Sequence, residues 1–155
     1  MHLYINQKIF SFKDKFSVFD EYGNAKYYVV GEMFSWGKKL HLYDIYGNEL
    51  AMIHQKAISF MPKFRVYING QQIAEIVKKV TFLSQKYEVN GLNWVTSGSL
   101  SAHDYQITDG VYMVASIHKR WMSWGDSYEL YINEQQNEVV ALAVVLAIDC
   151  AMFSK

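Results

Sequence analysis

Basic residues recur at equivalent places along this chain. Three segments, Leu50-Ala-Met-Ile-His-Gln-Lys56, Ile73-Ala-Glu-Ile-Val-Lys-Lys79 and Val114-Ala-Ser-Ile-His-Lys-Arg120, share the pattern apolar-Ala-x-Ile-x-polar-basic. Read as strands, they put Lys56, Lys78, Lys79, Lys119 and Arg120 at equivalent strand ends. Alternation gives Lys78 and Lys119 the face of the Ala–Ile pair, and Lys56, Lys79 and Arg120 the other. If the repeats are arranged around one axis, these cations gather toward one rim, with Lys38 and Lys39 expected nearby. Such a rim holds an anionic headgroup or a phosphate through charge-assisted hydrogen bonds. Charges at strand ends also serve simply to solvate and blunt an edge, so the five cations are a candidate site and not a signature.

Other chemistry is sparse. The histidines are His2, His41, His54, His103 and His118, with no H-x-x-x-H pair and no neighbouring cysteine, so no metal site is expected. His54 and His118 fall on the face opposite the Ala–Ile pair and read as strand histidines in contact with solvent. The sequence contains no G-x-S-x-G elbow, no phosphate-binding G-x-x-x-x-G-K-[ST] loop and no G-x-G-x-x-G, and Ser97-Gly98-Ser99 reads as a turn. No catalytic constellation and no cofactor are expected. Cys150 stands alone, so no internal disulfide forms, and a reducing, cytoplasmic setting is expected. Lysine plus arginine balance aspartate plus glutamate at 15 each. That balance argues against nonspecific nucleic-acid binding, which needs a strong basic excess, but leaves room for a local basic patch.

The elements that must position these residues are legible from periodicity. Residues 138–153, EVVALAVVLAIDCAMF, are apolar on every side apart from Glu138 and Asp149. A surface helix carries one apolar stripe, whereas this one has to be surrounded completely. Only ten uncharged residues, Val139 to Ile148, precede Asp149, and a bilayer span needs about twenty. At 1.5 Å per residue the helix is about 24 Å long, which suits the axis of a barrel. Asn137 is the expected N-cap, with Glu138 in the first turn. A lone buried charge is costly, so Asp149 is expected to emerge at a barrel mouth or to anchor a hydrogen bond, with a polar site at the barrel end as the sharper alternative.

Upstream, turn glycines at 23, 47, 70, 91 and 110 recur at a hairpin period, and each follows or precedes Asn or Asp as tight turns require. Between them lie β-branched and aromatic runs of period two. Twelve strands are expected, over 2–10, 15–20, 26–34, 39–45, 49–56, 63–69, 72–82, 86–90, 93–97, 103–108, 111–121 and 126–133. The repeated Ala51, Ala74 and Ala115 share a face with Ile53, Ile76 and Ile117, so something must pass close to them; the helix with Ala141, Ala143, Ala147 and Ala151 is the natural neighbour. A second repeat, Phe34-Ser-Trp-Gly37 and Met122-Ser-Trp-Gly125, points to two similar halves. Closing the strands removes exposed edges. A twelve-stranded barrel is too wide for its own side chains to fill, so the helix takes the leftover space. The expected fold is mainly β: one domain, 1–155, forming a closed twelve-stranded antiparallel β-barrel around a central apolar C-terminal α-helix.

With those residues in view, the chain resembles the LURP-one-related family, whose fold is that of the Tubby C-terminal domain and is shared with phospholipid scramblases. The resemblance rests on ISFMPKF at 58–64, A-x-I-x-K-K at 74–79, A-x-I-x-K at 115–119, and SWGDSYELYI at 123–132 running into LAVVLAID at 142–149, and it covers nearly the whole chain. It implies the same barrel around a helix. Tubby proteins bind phosphoinositides and scramblases are linked to phospholipids and calcium, but this chain lacks the long membrane segment and the acidic loop of the latter. The reading that follows is a non-enzymatic binding or scaffold module. Its expected partner is an anionic phospholipid or another phosphate-bearing partner at the basic rim, which makes it cytoplasmic and peripheral to a membrane. Two alternatives stand beside it: a small-molecule carrier or enzyme with a pocket at a barrel mouth, and a protein-interaction domain using Trp36 and Trp124.

Overall fold

Twelve strands close on themselves around one helix. The computed structural model describes residues 1–6, 15–34, 37–56, 60–80, 82, 85–122 and 125–153. The strands are β1 (His2–Asn6), β2 (Lys15–Phe19), β3 (Ala25–Phe34), β4 (Gly37–Asp44), β5 (Glu49–Lys56), β6 (Lys63–Ile68), β7 (Gln71–Val80), β8 (Gln85–Asn90), β9 (Trp94–Ser99), β10 (Asp104–Thr108), β11 (Met113–Met122) and β12 (Gly125–Ile132), followed by α1 (Glu138–Phe153). Each strand pairs antiparallel with its neighbours in sequence, and β1 closes the barrel between β12 and β2. The closure is clamped by a reciprocal pair: the Met1 amino group donates to the Ile132 carbonyl at 3.0 Å and the Ile132 amide donates to the Met1 carbonyl at 2.8 Å.

Alternation decides which side chains enter the core. Leu3 and Ile5, Leu40 and Leu42, Ala51 and Ile53, Phe64 and Val66, and Ala74 and Ile76 are all buried, each pair two residues apart. Residues 141–150 of α1 are buried without a break, as a helix enclosed on every side must be. The Asn137 side chain accepts from the Val140 amide at 3.1 Å and caps the helix. Among the described residues no helix is long and apolar enough to cross a membrane.

The helix does not sit on the barrel axis. It lies closest to β5, β6 and β7, and among the remaining strands it approaches β12 next. Ala51 on β5 and Ala74 on β7 are therefore the small residues that let it near, while Ala115 on β11 is buried but lies on a strand it does not approach as closely. On the far side larger side chains take up the space, and Tyr105 and Tyr128 are the largest fully buried ones.

Strand ends differ from the sequence-based expectation in a few places. The first strand was expected over 2–10; β1 is described to Asn6, and 7–10 lie outside the described residues. β11 begins at Met113 and not at 111, because the Asp109 carboxylate accepts from the amides of Val111 and Tyr112 and holds them in the turn. Ser97-Gly98-Ser99 is not a turn but the end of β9, with Gly98 opposite Tyr105. Gly98 has φ +109, and a Cβ there would meet the Asp104 carbonyl at 2.7 Å, so only glycine fits this close strand contact. The strands that flank the two Ser-Trp-Gly repeats pair equivalently, with Phe34 opposite Gly37 and Met122 opposite Gly125. Trp36 and Trp124 themselves lie outside the described residues.

Candidate functional site

Because the strands run alternately up and down, the barrel has two unlike ends. At one end α1 begins, and the hairpin turns carry Asp20, Glu21, Asp44 and Asp109, with Glu134 in the link to the helix. At the other end, where α1 finishes, β4 starts with Lys38 and Lys39, β5 ends on Lys56 and β6 starts on Lys63. There too β7 carries Lys78 and Lys79 just before its last residue, Val80, β8 carries Lys86, and β11 carries Lys119 and Arg120. The net charge of zero thus conceals a separation of charge along the barrel.

The candidate cations share that end but not one place on it. Strands β4 to β8 are consecutive around the wall, so Lys38, Lys39, Lys56, Lys63, Lys78, Lys79 and Lys86 form a continuous arc. Strand β11 stands across the barrel from β5, so Lys119 and Arg120 are separated from that arc. Within the arc, Lys56 stands directly opposite Lys63 across β5 and β6, and Lys79 directly opposite Lys86 across β7 and β8. Two carboxylates offset these charges in part: Glu88 lies 3.6 Å from Lys79, and Glu75 lies 3.9 Å from Lys63 while also holding Arg65 at 3.2 Å. Lys56, Lys78 and Lys119 make no ion pair with the described residues. Arg120 is committed elsewhere. Its Nε donates to Glu129 at 2.6 Å, and His2 contacts the other Glu129 oxygen at 2.6 Å. Burial alone would push the Glu129 carboxyl upward, but Arg120 and His2 outweigh it and the net shift is downward. Beside them lies a shallow depression of about 550 Å³ lined by Ala102, Asp104, His118, Lys119 and Arg120, in which His118 is already paired with Asp104 at 2.9 Å. His54, by contrast, is half-buried on β5.

Apolar residues also stand at this basic end. Phe60, between β5 and β6, and Phe82, between β7 and β8, are fully exposed at 105% and 107%, and Met33 and Val80 are exposed nearby on β3 and β7. Composition and periodicity do not single them out. The available signal is local: the connections read Lys56-Ala-Ile-Ser-Phe-Met-Pro-Lys63 and Lys79-Val-Thr-Phe-Leu-Ser-Gln-Lys86, each a phenylalanine bracketed by lysines.

Beneath the rim lies a buried polar cluster. Asp149 is wholly inaccessible to solvent, so it does not emerge at the mouth; it is the hydrogen-bond anchor of the two readings. The Tyr128 hydroxyl on β12 donates to Asp149 Oδ2. His103 Nε2 lies 3.6 Å from Asp149 Oδ1, and its ring stacks on Tyr128 with centroids 4.7 Å apart. His103 reaches inward because its backbone takes φ +51, in the tight turn where its amide donates to the Leu100 carbonyl. The Tyr105 hydroxyl is buried in the same region with no hydrogen-bond partner among the described residues. Burial, reinforced by the Asp149 charge, pushes both phenols well above their ordinary range and keeps them protonated. Burial likewise pushes the Cys150 thiol up; Asp149 adds to that shift and Lys38 opposes it, so this sulfur is not a nucleophile at neutral pH. The cluster faces no solvent and has no accessible nucleophile. Among the described residues no group of three metal-ligating side chains exists.

The raised phenols make a pH prediction. Both states are protonated below about pH 10, the ordinary tyrosine value. Above it the unfolded chain ionises while buried Tyr105 and Tyr128 do not, so stability is complete below pH 10 and falls as pH rises further. Each phenol contributes a limiting slope of about 1.4 kcal/mol per pH unit. Urea unfolding from pH 8 to 11 is expected to show this loss, and Tyr105→Phe is expected to lower the limiting slope by about 1.4 kcal/mol per pH unit; an unchanged slope in that variant would disprove the assignment.

At the opposite mouth a depression of about 660 Å³ is lined by residues including Met1, His2, Asp20, Tyr22, Tyr27, Ile45 and Glu138. Its polar groups engage one another. The Tyr27 hydroxyl donates to Glu138, and Lys26 Nζ lies 2.7 Å from the same carboxylate. Burial and the Glu138 hydrogen bond together push the Tyr27 phenol upward.

With this geometry in view, comparison with known proteins gives a consistent result. A family model described as LURP-one-related matches residues 1–149. The chain is similar to the uncharacterized protein YxjI of Bacillus subtilis, at 36% identity over 154 residues, covering 99% of this chain and 95% of that protein. It is also similar to the X-ray structure of a protein from Arabidopsis thaliana, with a TM-score of 0.65 and 15% identity over 96% of this chain and 89% of that one; at that identity the likeness is one of fold.

Proposed function

The chain belongs to the LURP-one-related family, and from that premise we propose that it is a non-catalytic binding module whose basic barrel end takes up a phosphate-bearing anion, the headgroup of an anionic phospholipid. The observation that carries this reading is the facing of like charges, Lys56 with Lys63 and Lys79 with Lys86. Like charges directly opposite on two strands destabilise a sheet, and the carboxylates at 3.6 and 3.9 Å compensate only in part. A phosphate set between two ammonium groups turns the repulsion into charge-assisted hydrogen bonds. The cytoplasmic face of a membrane, where anionic lipids concentrate, supplies such phosphates. In this reading Lys56, Lys78 and Lys79 belong to the binding arc, while Lys119 and Arg120 on the far side contribute less. The rival, a carrier with a pocket at a barrel mouth, is disfavoured because the polar groups of the larger depression are paired with each other.

Flotation with vesicles of phosphatidylcholine alone, and of phosphatidylcholine with phosphatidylserine, tests the proposal. Binding is expected only with the anionic vesicles and is expected to weaken with salt. At about 1 kcal/mol per cation near the surface, Lys56→Glu, Lys79→Glu and Lys86→Glu combined are expected to weaken binding by a hundredfold or more, whereas Lys119→Glu alone has a smaller effect. Competition by inorganic phosphate separates a free-anion site from a lipid site. Equal flotation of wild type and triple variant would refute the proposal.

A further inference from the structure

Each facing lysine pair closes a hairpin that presents an exposed phenylalanine. Lys56 and Lys63 stand at the base of the connection that carries Phe60, and Lys79 and Lys86 at the base of the one that carries Phe82. The two hairpins lie side by side, because β5, β6, β7 and β8 are consecutive around the wall. Both rings are exposed beyond 100%, so neither packs on the barrel. The turns of the acidic end also expose large side chains, among them Tyr22, Tyr46 and Tyr112, but those carry hydroxyls beside aspartates, whereas Phe60 and Phe82 are bare phenyl rings rimmed by lysines, and apolar groups rimmed by charge mark an interaction surface. The facing lysines at the base of both hairpins argue that the partner of this end is anionic.

We infer that Phe60 and Phe82 are membrane-inserting residues: the barrel stands end-on on an anionic bilayer, with the two rings in the acyl boundary and the lysine pairs in the phosphate layer above them. The inference rests on the lipid reading given above and adds to it the orientation of the barrel and the residues that enter the bilayer. Geometry sets the two depths. Lys56 and Lys63 are the last pair of their hairpin, Lys79 and Lys86 the last but one before Val80 and Gln85, and the phenylalanines lie beyond both pairs, so a barrel standing on this end reaches the membrane with its rings first. Long lysine side chains then extend back toward the headgroups while their stems lie in the interface. Apolar area buried below the headgroups sets the strength of such anchoring, and charge supplies the selection for anionic lipid.

The experiment compares wild type, Phe60→Ser/Phe82→Ser and the triple lysine variant, as full chains, on the same vesicles and on phosphatidylserine-containing monolayers. Both rings are fully exposed, so the double serine variant is expected to unfold at the same temperature as wild type, which circular dichroism checks. Wild type is expected to raise the surface pressure of the monolayer and to leave a vesicle-bound fraction that resists high salt. The double serine variant is expected to bind about tenfold more weakly per ring removed, to lose the salt-resistant fraction, and to leave surface pressure unchanged while keeping its preference for anionic lipid. If wild type and the serine variant bind equally and neither raises the pressure, insertion is disproved while the headgroup reading survives. If wild type binds no anionic vesicle at any salt, both fall. A wild-type dimer in solution that the serine variant dissolves would also overturn the inference, since the rings would then serve contact between copies.

Discussion

Cut after Asn137, the chain is expected to lose its cooperative fold altogether. Leu142, Val144, Val145, Leu146 and Ile148 are all at 0% exposure inside the barrel. At roughly 2 kcal/mol for each fully buried aliphatic side chain, these five alone contribute about 10 kcal/mol, which is comparable to the whole stability of an ordinary domain. Their removal also strips the apolar contacts from the inner faces of β5, β6 and β7, and a wall of twelve strands is too wide to refill the space with its own side chains. The truncated protein is expected to lose its near-ultraviolet dichroism, to bind hydrophobic dyes and to show no sigmoidal urea transition. A cooperative transition with native near-ultraviolet dichroism would show that the strands close without the helix.

The second large effect is expected at the buried carboxylate. Tyr128→Phe removes the hydroxyl that donates to Asp149 Oδ2 and replaces it with nothing, leaving a wholly buried carboxylate with His103 at 3.6 Å as its ion-pair partner among the described residues. Breaking one side of a buried charged pair costs about 3 kcal/mol or more. The position aggravates this, because Asp149 lies in the C-terminal part of α1, where the helix dipole disfavours an anion, and no basic residue of the last turn compensates. Asp149→Leu combined with Tyr128→Phe removes both charge and donor, so the double variant is expected to lose less stability than the sum of the single ones, by about 1–2 kcal/mol. Urea unfolding of the four proteins measures the cycle. A Tyr128→Phe variant within about 0.5 kcal/mol of wild type would mean that Asp149 does not depend on that hydroxyl.

The architecture was legible because its decisive feature is local. An apolar helix with no polar face has to be enclosed, and 138–153 shows that in sixteen consecutive residues. Ala51 and Ala74 announced a close neighbour for the same reason: a small residue on an inward face has a spacing meaning whatever the topology. Ala115 carried the same signal, and there the helix leans the other way, because a plug in a wide barrel need not be centred. The site was less legible. Lys56, Lys78, Lys79, Lys119 and Arg120 are alike in sequence, but only strand order tells that the first three share an arc and the last two stand across the lumen. The commitment of Arg120 to Glu129 depends on β11 pairing with β12, and the contact of His103 with Asp149 spans 46 positions and needs a left-handed backbone at the histidine. Phe60 and Phe82 were invisible to alternation because they lie in connections, where alternation has no meaning.

The order of elements has a consequence for biosynthesis. Since α1 follows β12, every strand leaves the ribosome before the segment that fills the lumen. At roughly 5–20 residues per second, the nascent chain spends one to several seconds with all its strands synthesised and its interior still vacant. During that interval the apolar side chains of the twelve strands have no helix to pack on and offer the same oily surface that holdase chaperones seek.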